Sequence, residues 1–227
     1  MSPKSRASKR FDVCRHSRES GDVPGFERLT LVMETASAAC SAALIAGGEV
    51  IAERHEMVGR GHAERLLPMV RELLAGRRPQ ALLVDCGPGS FTGVRVGLAA
   101  AHGLRIGWGV PLAGYSSMAL AAAGAEEAEI AVALRGGHGQ LFVQSFRSDP
   151  LRPTDALQSL EPEAAAAVMR AQVVLGSGAA ALVEARHSGR AVDAELRAAD
   201  ARFLPEPLRS LPPRPIYGRG ADARPMP

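Results

Sequence analysis

The sequence predicts an α/β protein built from two units, the second smaller than the first. Three observations carry this. Short apolar runs split by glycine turns read as strands before residue 60. Two stretches of helical character follow, each next to a further strand. A hairpin, a short helix, a strand and another helix then follow after Gly124 on a reduced scale. A chain of 227 residues is long enough to bury a real core, and its 46% hydrophobic and 22% charged residues argue against disorder or a fibre.

Residues 1–28 are polar, mixed in charge and without period, and read as a disordered or non-native extension. The first unit covers 29–124. Leu29 to Ala36 and Cys40 to Ala46 are strands, and Gly47-Gly48 turns the chain into a third from Glu49 to about Glu56. From Gly61 to Ala75, Ala63, Leu66, Leu67, Val70 and Leu74 form one apolar stripe, widened by Met69 and Leu73. Pro68 removes a backbone bond, so a kink or a late start near Glu64 is expected.

Ala81 to Val84 is a buried strand that ends in Asp85-Cys86-Gly87-Pro88-Gly89, where the chain must turn. Ser90 takes the N-cap position of a helix from Phe91 to about Trp108. That helix holds Gly93, Gly97, Gly103 and Gly107, each about 1 kcal/mol worse than Ala, so something must compensate. Gly93, Gly97 and Ala101 share one face, which lets another backbone approach closely. Val110 to Gly114 is a strand and Tyr115 to Ala123 a helix. The second unit, 125–204, has a hairpin (Glu129 to Leu134, Gln140 to Phe146) and a helix at Glu163 to Arg170. A strand from Gln172 to Leu175 and the turn Gly176-Ser177-Gly178 opening a helix complete it. Residues 205–227 form a Pro- and Arg-rich tail.

Familiar chemistry is hard to spell. A P-loop needs Lys and Ser/Thr after its last glycine, but Val94-Arg95 follow Gly93. A nucleophile elbow needs glycines flanking the serine by two, and Ser90 has Pro88 and Thr92 there. The glycine spacing of a dinucleotide fingerprint is absent. The free amides at this helix start can hold an anion, although a bare structural turn is the more frequent reason for such glycines. No His-Glu-x-x-His or His-x-x-x-His occurs, and His55, His62, His102 and His138 read as scattered surface or capping residues, so no metal site and no catalytic residue is assigned. Cys14, Cys40 and Cys86 make no Cys-x-x-Cys pair and suggest buried free thiols in a reducing, cytoplasmic setting. The longest apolar region is broken by His102, Arg105, Gly and Pro, so no membrane span is expected. A net charge of +3 without a dense basic stripe gives no support for strong autonomous tRNA binding.

The stretch Gly87 to Leu98 (GPGSFTGVRVGL), followed by Gly109 to Met118, resembles the TsaB/YeaZ family, as does Gly61 to Ala75. The resemblance implies two ribonuclease-H-like units of the actin/Hsp70 superfamily, the second smaller and degenerate. It also implies a non-catalytic subunit that docks a catalytic threonylcarbamoyl transferase (TsaD type), with an ATPase subunit (TsaE type) in the same complex. That complex modifies the tRNA adenosine beside the anticodon, and tRNA is reached only through it. In the family the two helices bundle with a partner subunit, giving an expected interface of His62, Leu66, Leu67, Val70, Leu74, Gly93, Gly97 and Ala101. The motif turn is Gly87, Pro88, Gly89, Ser90, Phe91, Thr92 and Arg95. Pro215-Ile216-Tyr217-Gly218-Arg219 resembles the family's C-terminal segment, with Tyr217 and Arg219 as tail anchor.

ATP-using relatives wrap a phosphate with a glycine-containing first hairpin. Here Glu34, Thr35 and Ser37 stand in a turn without glycine, which reads as a degenerate phosphate site. No cofactor of its own is expected, and ATP or ADP is allowed for at the junction with partner subunits. Rival readings are an actin-fold ATP-dependent enzyme, a glycoprotease-like peptidase using Ser90, and a homodimer through the same helices when the partner is absent.

Overall fold

A computed structural model describes residues 27–218. The first unit contributes strands β1 (Thr30–Glu34), β2 (Ala39–Ala46), β3 (Glu49–Met57), β4 (Ala81–Asp85) and β5 (Leu112–Tyr115), with helices α1 (His62–Leu74), α2 (Phe91–Trp108) and α3 (Ser117–Ala122). The second adds β6 (Glu129–Arg135), β7 (Leu141–Ser148), β8 (Leu151–Pro153), β9 (Gln158–Leu160), α4 (Pro162–Val168), β10 (Val173–Leu175), α5 (Ala179–Arg186) and β11 (Arg190–Val192). Most of the extension read at 1–28, and Arg219, lie outside the described residues. Helix α1 starts at His62 and carries Pro68 internally, so the late start near Glu64 is corrected. The three-residue strands β8, β9 and β11 are additional to the sequence reading.

Both sheets follow one plan. The first runs β3-β2-β1-β4-β5, antiparallel across β3, β2 and β1 and parallel across β1, β4 and β5. The second runs β8-β7-β6-β10-β11 with the same sequence of directions, and β9 pairs with β7. The duplicated order, three antiparallel strands extended by two parallel ones, is the two-unit α/β fold expected.

Strand alternation sorts side chains into three cores. Leu31, Met33, Leu82 and Val84 point from the first sheet to α1 and α2. Val32, Ala43, Ile45 and Leu83 point the other way and join Ile130, Val132 and Phe146 of the second sheet around α3. Ala131, Ala133 and Val143 face α4 and α5. The middle core is common to both units, because α3 and a 3-10 turn at Ala198–Phe203 fill the space between the sheets. That turn is tied to the first sheet: Ala198 N donates to Ser41 Oγ at 3.0 Å, and Arg197 pairs with Glu53 at 2.9 Å.

Candidate functional site

The glycine turn after β4 is built to receive the turn between β1 and β2. Ser90 caps α2 by accepting from Gly93 N at 3.1 Å, and Ser90 N donates to Ala36 O at 2.7 Å. Thr35 Oγ1 donates to Gly93 O at 2.8 Å. A Cβ on Gly89 would stand 2.3 Å from Ala36 O, one on Gly93 1.9 Å from Thr35 O, and one on Gly97 2.4 Å from Thr35 Oγ1. No side chain fits there, so the missing Cβ atoms are what allow the turn to lie on the helix.

This corrects the expected interface. Gly93, Gly97 and Ala101 are buried against the chain's own turn and sheet, because Thr35 and Val84 occupy the recess they form. Leu66, Val70 and Leu74 are likewise buried against the first sheet. His62 is not a surface or capping residue: it is 3% exposed, and its Nε2 lies 3.1 Å from Ser37 O and 3.0 Å from Ala39 O. One nitrogen bonds two carbonyls only as a donor, so the ring carries its proton on Nε2 and clamps the β1–β2 turn at Ser37 and Ala39.

Two carboxyls are buried beneath these turns, Glu34 at the end of β1 and Asp85 at the end of the neighbouring parallel strand β4. Glu34 accepts from Ala36 N at 2.7 Å, Ser37 N at 2.9 Å and Ser37 Oγ at 3.0 Å. Asp85 Oδ1 accepts from Gly87 N and from Ser117 Oγ, both at 2.7 Å, while Oδ2 has no hydrogen-bond partner. Burial holds both carboxyls well above the usual carboxylate range, and Asp85 raises Glu34 further. Tyr115, whose hydroxyl donates to Met33 O at 3.0 Å, is pushed up by the same burial and by both acids. Sequence reasoning took Asp85 only as a turn residue. A carboxylate closing an apolar strand just before Gly-Pro-Gly was the available signal.

The face that remains free lies on the other side of the helix pair. Leu67 is 49% and Ile106 83% exposed. Along α2, Thr92, Val96, Ala99, Gly103 and Ile106 recur at spacings of four and three, and all but half-buried Val96 are exposed. An added Cβ on Gly103 or Gly107 meets nothing within 4 Å. These two glycines therefore cost helix stability without any packing gain inside the chain. Arg65, on the β3 flank of α1, is bound to Glu56 and Glu72.

Phe91, Arg95 and Tyr217 meet at the start of α2. The Arg95 guanidinium stacks 3.4 Å from the Phe91 ring centroid, and its Nη2 donates to Tyr217 Oη at 2.8 Å. The tail reaches that point because Leu211 pairs with Gly114 and Ile216 N donates to Cys86 O at 2.8 Å. In the second unit, Gly176-Ser177-Gly178 packs on β6: added Cβ atoms would meet Ala133 O at 2.6 Å from Gly176 and Leu141 Cδ2 at 2.8 Å from Gly178. Cys40 and Cys86 are buried free thiols, both pushed up to about 12 by burial. Among the described residues no group of three or more His, Cys, Asp and Glu is placed to hold a metal ion, and no helix is long and apolar enough to cross a membrane.

Two sheets of one repeated order, joined by a common core, define an actin/Hsp70-like two-unit protein. Residues 48–200, more than half of the chain, match the family model for TsaD, tRNA N6-adenosine threonylcarbamoyltransferase. The tRNA threonylcarbamoyladenosine biosynthesis protein TsaB of Escherichia coli K12 is 42% identical over 100 residues, 42% of this chain and 43% of that protein. Its Haemophilus influenzae counterpart is 40% identical over 116 residues, 47% and 49% of the two chains. The match thus spans a little under half of these curated relatives. Among solved structures, a Pseudomonas aeruginosa protein described as similar to peptidase YeaZ superposes with a TM-score of 0.70 at 29% identity, covering 84% of this chain and 99% of that one. Pseudomonas aeruginosa YeaZ gives 0.65 at 28% identity, over 75% and 87%. The chain belongs to the TsaB/YeaZ family.

Proposed function

We propose that this chain takes part in tRNA threonylcarbamoyladenosine biosynthesis as a non-catalytic docking subunit for a TsaD-type transferase. The observation that supports this best is the outer face of α1 and α2. It carries exposed Leu67 and Ile106, small residues at coiled-coil spacing, and two helix glycines whose added Cβ would meet nothing within 4 Å among the described residues. Small residues in an exposed helix stripe admit a second helix closely, and the apolar rim supplies the driving force. A TsaE-type ATPase joins the same assembly, and tRNA is reached only through it. A second copy of the chain occupies the same face when the transferase is absent.

The β1–β2 turn supports a scaffold more than an ATP-dependent enzyme. The amides of Ala36 and Ser37, which a phosphate would require, are already taken by the Glu34 carboxyl, and Ser90 Oγ is spent on its own helix. ATP or ADP in the assembly belongs at the junction between subunits. The test is complementation: a strain lacking this protein, given wild type or Leu67→Glu/Ile106→Glu, is assayed for threonylcarbamoyladenosine by mass spectrometry of its tRNA. Wild type restores the modified base and the folded double variant does not. Full restoration by the double variant would place the function elsewhere on the molecule.

A further inference from the structure

The geometry points to a binding site for the phosphate of a nucleotide, in a cleft at the β8 edge of the second sheet. The cleft has a volume of about 490 Å³ and gathers Arg147, Arg152 and Arg170 with Glu129 and Asp155. This volume lies in the range of small-molecule sites. No residue of α1 or α2 lines it, so the inference goes beyond the docking function and does not depend on it.

Strand register concentrates the positive charge. Glu129 stands opposite Arg147 across β6 and β7, and Arg147 opposite Arg152 across β7 and β8. Two like charges directly opposed destabilise a strand pair. One carboxylate serves this row: Glu129 accepts from Arg147 at 3.0 Å. Asp155 is spent on the backbone, accepting from Ser145 N at 2.7 Å. Arg152 and Arg170, both exposed, make no ion pair among the described residues. Arg152 and Arg170 thus stand beside the Arg147–Glu129 pair without an ion-pair partner of their own among the described residues, and planar guanidinium forks match phosphate oxygens in pairs. Pro153 and half-exposed Val168 supply an apolar rim beside the arginines, while the side chains of Ile130 and Phe146 beneath are turned into the middle core. A ligand with an anionic end and a flat, less polar body fits this combination, as a nucleotide does. It comes either as a free nucleotide or as one residue of an RNA strand.

Isothermal titration calorimetry on the full chain at low salt separates the sources, with AMP, a ten-nucleotide single-stranded RNA and inorganic phosphate as probes. The proposal expects AMP, the RNA or both to bind. Binding falls by about tenfold or more in Arg152→Gln/Arg170→Gln, as removal of charge-assisted hydrogen bonds implies. Arg77→Gln, an exposed arginine outside the cleft, leaves binding unchanged, and Glu129→Gln, which frees Arg147, tightens it. Binding of AMP identifies a free nucleotide as sufficient, and binding of RNA alone identifies the strand. Equal affinities for wild type and the double variant, or no binding of either nucleotide probe, overturn the proposal. The arginines would then serve only to keep the β8 edge from pairing with another strand.

Discussion

The same substitution at four positions of one helix is expected to act with opposite signs. At Gly103 an added methyl meets nothing within 4 Å. Only the intrinsic helix preference then operates, about 1 kcal/mol in favour of Ala at an interior position. For a chain of this size that raises Tm by about 2–4 °C. Gly107 lies in the last turn, so its gain is smaller. At Gly93 the methyl would stand 1.9 Å from Thr35 O, a backbone atom that cannot rotate away. The helix gain is then set against overpacking of about 1–3 kcal/mol. Displacing the turn also weakens the Thr35 Oγ1 to Gly93 O bond, worth about 1 kcal/mol. The net expectation at Gly93 is a loss of about 1–3 kcal/mol. Gly97→Ala is expected to lose less, since its neighbour is the Thr35 hydroxyl. Urea denaturation of the four single variants reads the signs directly. A destabilised Gly103→Ala, or a neutral Gly93→Ala, would refute the assignment of inner and outer faces.

Further predictions concern the buried turn and the tail. Because Glu34 and Asp85 have carboxyls raised in the folded state, the native protein retains protons that the unfolded chain releases. Their contribution is fully present below about pH 4 and is lost as pH rises through the raised values, at up to about 1.4 kcal/mol per pH unit for each group. Thermal unfolding should therefore give a lower Tm at pH 8 than at pH 5, and Glu34→Gln should flatten the difference; an unchanged slope would mean that Glu34 does not titrate there. His62→Ala leaves Ser37 O and Ala39 O without their donor and is expected to cost about 1–3 kcal/mol. Nitrogen NMR of wild type should show the Nε2-protonated ring. Tyr217→Phe removes the Arg95 bond but keeps the ring, and the exposed pair should change stability by less than about 1 kcal/mol while speeding proteolysis of the tail.

The strands and helices of the first unit were legible because their signals are local. Gly47-Gly48 marks the β2–β3 hairpin, Ser90 caps α2, and short continuous apolar runs place β1, β2 and β4. The face of α2 was not. Gly93, Gly97 and Ala101 form one small stripe, and Gly103 and Gly107 lie on another. Spacing alone shows that a close neighbour is admitted, not which neighbour. The choice is made by Thr35, distant in sequence, which fills the first stripe. His62 was misread for a related reason: a histidine at the start of a helix looks like a surface residue until the two carbonyls of the β1–β2 turn are brought to it. Strands β8, β9 and β11 are three residues long and too short to show a period. The row Glu129, Arg147 and Arg152 exists only through their pairing.

The central claim is that the outer face of α1 and α2 docks a catalytic transferase. Its most direct measurement is size-exclusion chromatography with light scattering of this protein mixed with the TsaD-type transferase from the same cell, beside the Ile106→Glu variant. A stoichiometric heteromeric complex with wild type, lost in a variant whose own unfolding curve is unchanged, is the predicted result. A complex that forms equally well with Ile106→Glu and Leu67→Glu, or no complex with wild type, would contradict it.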